Sequence, residues 1–321
     1  MNKWARIAVA AVAMLAVGDM AGAQSFPSKP VRLLVPYPAG GAVDVLARTL
    51  GDVVSKTWGQ PVVVENRPGA GGVIASQALA AAPPDGHTLI VVASGHATNP
   101  FLYPSLPYDT FKDFTPISLV ASSPNLLLVR ADSPFKTVAD VIAAAKAKPG
   151  SLSFGHAGNG TSTHLAGELL KSLAKVDIVA VPYKGGAPAI NDLIGEQIPL
   201  SFNNGPESVG QIAGGTVRAL AVTTARRAAF VPDVPSMSET VPGYDTEVWW
   251  GVLGPAGMPA DLAARLSRDF VDTLNNPVVK ERLTKLGASP IGSSPKDFDA
   301  KIRADYDKWG PIIKAAGIKS E

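Results

Sequence analysis

Twice along this chain a short apolar run leads into a glycine-rich loop, and each loop opens an amphipathic helix. The first loop, Pro36-Tyr37-Pro38-Ala39-Gly40-Gly41, follows the run 31–35. The second, Gly155-His156-Ala157-Gly158-Asn159-Gly160, follows the run 152–154. In open α/β sheets, ligands sit beyond the carboxyl ends of strands, where loops of this kind lie. The unpaired N–H groups of a first helical turn and the positive end of the helix dipole converge there, so each loop is an anion cradle. Two cradles in separate stretches of one chain point to a single anion held between two lobes.

The rest of the chain repeats strand, loop and helix. Strands are expected at 31–35, 61–65, 89–92, 125–129, 152–154, 177–181, 198–202, 217–223 and 247–253. The helix at 42–58 carries Val43, Leu46, Ala47, Leu50, Val53 and Val54 on one face. Helices are also expected at 138–148, at 185–195, at 206–213, at 261–274 and after Ser294-Pro295, the last with Phe298, Ile302, Tyr306 and Trp309 on one stripe. Such alternation implies an α/β fold with mostly parallel, doubly wound sheets. Both glycine loops, the segment 94–99, the segment 183–186 and Asn203-Asn204 all fall at strand ends. The last helix is expected to pack back on the first lobe.

Residues 1–23 stand outside this scheme. Lys3 and Arg6 precede an apolar run from Ile7 to Val17, and Ala21-Gly22-Ala23 supplies small residues for cleavage. The segment reads as a secretory signal peptide cleaved after Ala23, with a retained membrane anchor as the competing reading. Its apolar run is short of the ~20 residues that a spanning helix needs. Removing 23 of 321 residues leaves 298, at the usual ceiling of about 250–300 for one core, so two lobes are expected. We place the first at 24–123 plus 249–321 and the second at 124–248. The chain has no cysteine, which excludes a lipoprotein anchor, thiol chemistry and cysteine-ligated metal, and leaves stability to packing. Without the leader, 27 basic residues face 26 acidic ones. Their scatter and the few aromatics give no nucleic-acid footprint.

Neither loop matches a nucleotide motif. Gly158-Asn159-Gly160 lacks a third glycine at Thr163, and neither loop carries the Lys-Ser/Thr of a phosphate-binding loop. Thr161, Ser162 and Thr163 can donate hydroxyls to a carboxylate or cap their helix. Asp44, in a first helical turn, either complements the dipole, orders loop N–H groups or grips an ammonium group. None of His87, His96, His156 and His164 has metal-ligand spacing; His164 is a ligand contact or a capping residue. No Gly-x-Ser-x-Gly elbow occurs, and Ser94 has no obvious His and Asp partners. Trp249-Trp250 reads as hinge or core packing before it reads as a ligand stack.

The segments PYPAGGAVDVLAR (36–48), VVENRPGAGG (63–72), PPDGHTL (83–89), KDFTPISLV (112–120), GHAGNGTSTHLAGEL (155–169), VPYKGGAPAINDL (181–193), LAVTTARR (220–227), DVPS (233–236) and GPAGMP (254–259) occur in that order behind the leader. This ordered set, spanning essentially the whole mature chain, resembles the Bug family, the periplasmic substrate-binding proteins of tripartite tricarboxylate transporters. The resemblance implies a periplasmic-binding-protein (Venus flytrap) fold with a ligand cleft between its two lobes. It further implies capture of a small organic carboxylate for a membrane permease, without cofactor or metal. The ligand contacts it implies are Tyr37, Ala39, Gly40 and Gly41 from the first lobe and Gly158, Gly160, Thr161 and His164 from the second. Ser94, Asn99 and Tyr183 support them. Asn203 stands where the family usually has Asp, and Val43 and Val73 stand where it often has polar residues, which would suit a ligand with an apolar portion. Two rival readings are a secreted hydrolase-like enzyme using a cleft Ser or His, and a sensor protein that docks on a membrane receptor.

Overall fold

The computed structural model describes residues 26–320, so the expected signal peptide lies outside the described residues. Strand β1 (Val31–Val35) runs into the first glycine loop and helix α1 (Ala42–Trp58). Gly59 ends α1 in the left-handed conformation with φ 64°, which glycine adopts at no steric cost. There follow β2 (Val62–Asn66), α2 (Val73–Ala80), β3 (Thr88–Ala93), α3 (Gly95–Leu102) and the long strand β4 (Phe114–Arg130). Next come α4 (Val138–Ala147), β5 (Ser153–His156), α5 (Ser162–Ala174), β6 (Val179–Pro182), α6 (Gly186–Ile194), β7 (Leu200–Asn204), α7 (Gly205–Ala213) and β8 (Val217–Val222). The chain closes with β9 (Glu247–Pro255), α8 (Ala260–Asn275), α9 (Pro277–Lys285), the short β10 (Ser289–Pro290) and α10 (Pro295–Ala315).

Alternate residues of a strand face opposite sides of its sheet, and both halves of the chain use this in the same way. In the first half, Leu33, Leu89 and Val91 turn towards Leu46 and Leu50 of α1, while Leu34, Ile90 and Val92 turn towards Leu79 of α2. In the second half, Leu127 and Val129 meet Leu165 and Leu169 of α5, while Leu126 and Leu128 meet Ile190 and Leu193 of α6. Each fully buried side chain of this size contributes about 1.5–3 kcal/mol. Because both faces are covered, β3 is buried at every position.

β1 pairs parallel with β2 and β3, and β5 pairs parallel with β6 and β7. Between these parallel groups the pairing is antiparallel, which corrects the expectation of mostly parallel sheets. β9 lies antiparallel between β3 and the first half of β4. The second half of β4 pairs antiparallel with β7 and β8, so this one strand passes from one half of the sheet to the other. Hydrophobic periodicity reports that a segment is a strand but not which way its neighbours run. The last helix also bridges the halves. Phe298 and Ile302 of α10 join the cluster around Leu34, and Trp309 and Ile313 join the cluster around Leu127.

Candidate functional site

The carboxyl ends of β1, β3, β5 and β7 lead to one cleft of about 620 Å³. Five helices, α1, α3, α5, α6 and α7, place residues of their first turn or cap on its wall, among them Ala42, Gly95, Ser162, Gly186 and Pro206. Four of the five have no side-chain cap: α1 behind Gly41, α3 behind Ser94, α6 behind Gly185 and α7 behind Asn204. Their first-turn N–H groups therefore lack the partner that most helices supply themselves. The dipoles of these helices bring partial positive charge to one small volume.

The first loop is held from behind. Asp44 is buried, and its Oδ2 accepts from Gly40 N–H at 2.9 Å and from Arg48 Nε at 3.0 Å, while its Oδ1 accepts from Asn66 Nδ2 at 2.9 Å. Asn66 Nδ2 also donates to the Tyr37 carbonyl at 3.1 Å. Burial works against the Asp44 charge. The hydrogen bonds from Arg48, Gly40 and Asn66 outweigh it and hold the carboxyl below its usual range. Of the three roles open to Asp44 in the sequence, the structure shows the ordering of loop N–H groups.

The second loop is held by side chains from the end of β5 and the start of α5. Thr163 Oγ1 accepts from Ala157 N–H at 2.9 Å and His164 Nδ1 from Gly160 N–H at 3.1 Å, while His156 Nδ1 lies 3.0 Å from the Gly158 carbonyl oxygen and 3.3 Å from the Gly158 nitrogen. Thr161 caps α5 by accepting from His164 N–H. Thr161 and Thr163 thus shape the loop, and the loop glycines spend their N–H groups inside it. Among the described residues, no acceptor is found within the chain for the N–H groups of Ser162 and Thr163.

Eight of the twelve residues named from the sequence line the cleft: Tyr37, Ala39, Gly40, Gly41, Ser94, Asn99, Gly160 and Thr161. Burial, with Tyr103 and Tyr108 nearby, pushes the Tyr37 hydroxyl up to about 12, so it stays protonated and able to donate. The other four are placed behind the wall. Gly158, with φ 127°, lies against the Tyr183 carbonyl. His164 is buried and stacked on His156 with ring centroids 4.0 Å apart; burial, then His156 and Lys171, pushes it down to about 3. Tyr183 donates its hydroxyl to Asp192 at 2.8 Å. Asn203 is fully buried and donates to Ser201 Oγ at 2.6 Å. Of the flanking positions, Val43 lines the cleft and Val73 does not.

Several lining residues were not among the ligand contacts expected from the sequence, although Lys184 and Gly185 fall in the strand-end segment 183–186. Lys184, Gly185, Ala187 and Pro188 form a third rim around the start of α6, and Leu283, Leu286 and Ala288 come from α9 and the chain after it. An Asn276-Pro277 pair is a recognisable cap and first-turn signal for α9. Trp250 and Val248 of β9 complete the apolar wall, whereas Trp249 is buried on the other side with its Nε1 donating to Asp305 at 2.5 Å. Glu207 is the acidic side chain on the wall.

A family model described as the tripartite tricarboxylate transporter family receptor matches residues 46–318. Protein BugT of Bordetella pertussis is 33% identical over 324 residues, covering 99% of each chain. A solved structure titled as Rhodopseudomonas palustris Rpa4515 with adipate superposes with a TM-score of 0.85 at 38% identity, covering 92% of this chain and 100% of the other. MatC (Rpa3494) from Rhodopseudomonas palustris with bound malate superposes with a TM-score of 0.80 at 34% identity, covering 90% and 100%.

Proposed function

The chain belongs to the tripartite tricarboxylate transporter receptor family, a family of periplasmic solute-binding proteins, and from that premise we propose that its cleft captures a small organic carboxylate. The single observation that carries this reading is the convergence of five helix starts on one cleft, four of them without a side-chain cap. Neutral N–H donors held in place by buried side chains such as Asp44 replace the water shell of an anion with little rearrangement. The apolar wall of Val43, Leu46, Trp250 and Leu286 suits the carbon skeleton that an organic acid brings with it. The two related structures that hold adipate and malate are in keeping with this choice of ligand.

In this reading residues 1–23 are an export signal removed after Ala23, and the receptor works in the periplasm. The lobes are 24–123 plus 249–321 and 124–248, with β4 and β9 passing between them. Ligand held by both lobes favours their closed arrangement, and closure presents a surface to the permease subunits. The hydrolase reading would need a base beside Ser94, and among the described residues no histidine lines the cleft. Titration calorimetry against mono-, di- and tricarboxylates tests the proposal. At least one acid is expected to bind with a Kd of about 10 μM or tighter, and silence from the whole panel, with no thermal shift, overturns it.

A further inference from the structure

Glu207 is the third residue of helix α7, directly after Pro206, and it lines the cleft. Its Oε2 is sealed from solvent and finds no hydrogen-bond partner. The Oδ1 atom of Asn203 is likewise sealed and unpartnered. These two oxygens are close neighbours: both flank the Cα of Gly186, where an added methyl group would collide with each. Two buried acceptors side by side with no donor between them are costly, because each has given up water for nothing.

The charged groups around Glu207 do not relieve it. Lys184, before α6, is exposed and makes no ion pair with it. On α9, Lys285 pairs with Glu281, and neither Lys280 nor Arg282 pairs with Glu207. Past α7, Arg227 is engaged with Glu239, and Arg218 of β8 donates to the carbonyls of Ser133 and Phe135. Burial outweighs a hydrogen bond from the Asn204 backbone and pushes the Glu207 carboxyl up to about 7.

We propose that Glu207 is a specificity-determining residue that accepts a hydrogen bond from a donor on the ligand, a hydroxyl or an ammonium group, and disfavours a second carboxylate at that place. The proposal rests on the carboxylate reading and adds the chemistry of the ligand's other polar end. When Glu207 is protonated, its buried oxygen carries the proton towards Asn203 Oδ1, and the other oxygen remains an acceptor for the cleft. When it is ionised, it accepts still more strongly, and an ammonium group neutralises it. In neither state does it offer the cleft the donor that a second carboxylate needs. Binding of an ammonium-bearing acid therefore drives a proton off Glu207 and tightens as pH rises through its titration.

Calorimetry with matched acids tests this: hexanoate, 6-hydroxyhexanoate, 6-aminohexanoate and adipate, with their four-carbon counterparts. At pH 8 the hydroxy or amino acid is expected to bind about tenfold or more tighter than the diacid of equal length, and Glu207→Gln is expected to shrink that ratio to about threefold or less. On the unaltered protein at pH 6.5, amino-acid binding measured in two buffers of different ionisation enthalpy is expected to release a fraction of a proton, a readout that needs no variant to fold. Binding of at least one acid with an order that favours the diacid, or that Glu207→Gln leaves unchanged, or with no proton released, overturns the role of Glu207 alone. Silence from every acid overturns the carboxylate reading and this inference with it.

Discussion

Asp44 shows how one residue converts a flexible loop into a rigid donor set. The sequence placed it in a first helical turn, beside a dipole it would complement. The structure shows its two oxygens holding Gly40 N–H, Arg48 and Asn66 at once. Glycine at position 40 takes φ 84°, and the carboxylate fixes that otherwise loose geometry. Asp44→Ala is expected to cost about 1–3 kcal/mol of stability at pH 7, because it strands buried donors. It is also expected to weaken carboxylate binding about tenfold by loosening the loop, both measurable by urea denaturation and calorimetry. The folded carboxyl titrates below its unfolded value. Its stabilising share is therefore complete above the unfolded value near 4 and is lost as pH falls through the folded one, so the variant and the parent should converge in acid. Unchanged affinity in a folded Asp44→Ala protein would remove Asp44 from the site's architecture.

At the scale of elements, the contact between the second glycine loop and α3 decides the floor of the cleft. Gly160 adopts φ 70°, and a methyl group there would run into the Leu102 side chain, which is itself buried. Thr98 Oγ1 of α3 also reaches the Gly160 carbonyl at 3.4 Å. Gly160→Ala is thus strained in its backbone and crowded in its packing. We expect a stability loss of about 1–3 kcal/mol and a larger loss of affinity than for Gly215→Ala, whose φ is 66° but whose added methyl group meets nothing. Equal effects of the two variants on affinity would show that only backbone strain matters. α3 itself was hard to see in the sequence, since Gly95, His96, Thr98, Asn99 and Pro100 make a poor helix by composition. It holds because α10 packs across it. The first half of β4 was hidden in the same way by Pro116, Ser118, Ser122, Ser123 and Pro124. Antiparallel pairing with β9 sustains that stretch, with register shifts at two places.

For the whole molecule, buried titratable groups set how stability responds to pH. Burial is the leading cause that pushes His96 and His156 down to about 4 and His164 to about 3. The unfolded chain protonates these rings first as pH falls. Their neutral form therefore supports the fold above the unfolded value near 6.5, and each costs up to about 1.4 kcal/mol per pH unit as pH drops from there towards 4. Glu207 works in the opposite direction. Its folded value is raised, so stability present below about 4.5 is lost as pH rises towards 7. Glu207→Gln is expected to raise the urea midpoint at pH 8 and to leave it unchanged at pH 4.5. A variant no more stable than the parent at pH 8 would contradict the burial of that carboxyl. The two trends together place the most stable pH between them.

The family, the α/β class and the place of the first glycine loop between a strand and a helix could all be read from local order, because apolar period, turn glycines and helix starts follow one another along the chain. The sequence also named eight of the residues that line the cleft. Strand direction in the middle of the sheet, and which groups of each loop line the cleft, came from tertiary packing. The second loop's donors turned inward to Thr163 and His164, while Glu207 and Leu286 arrived from separate elements. Such placement depends on packing between segments far apart in the chain, and no local pattern records it.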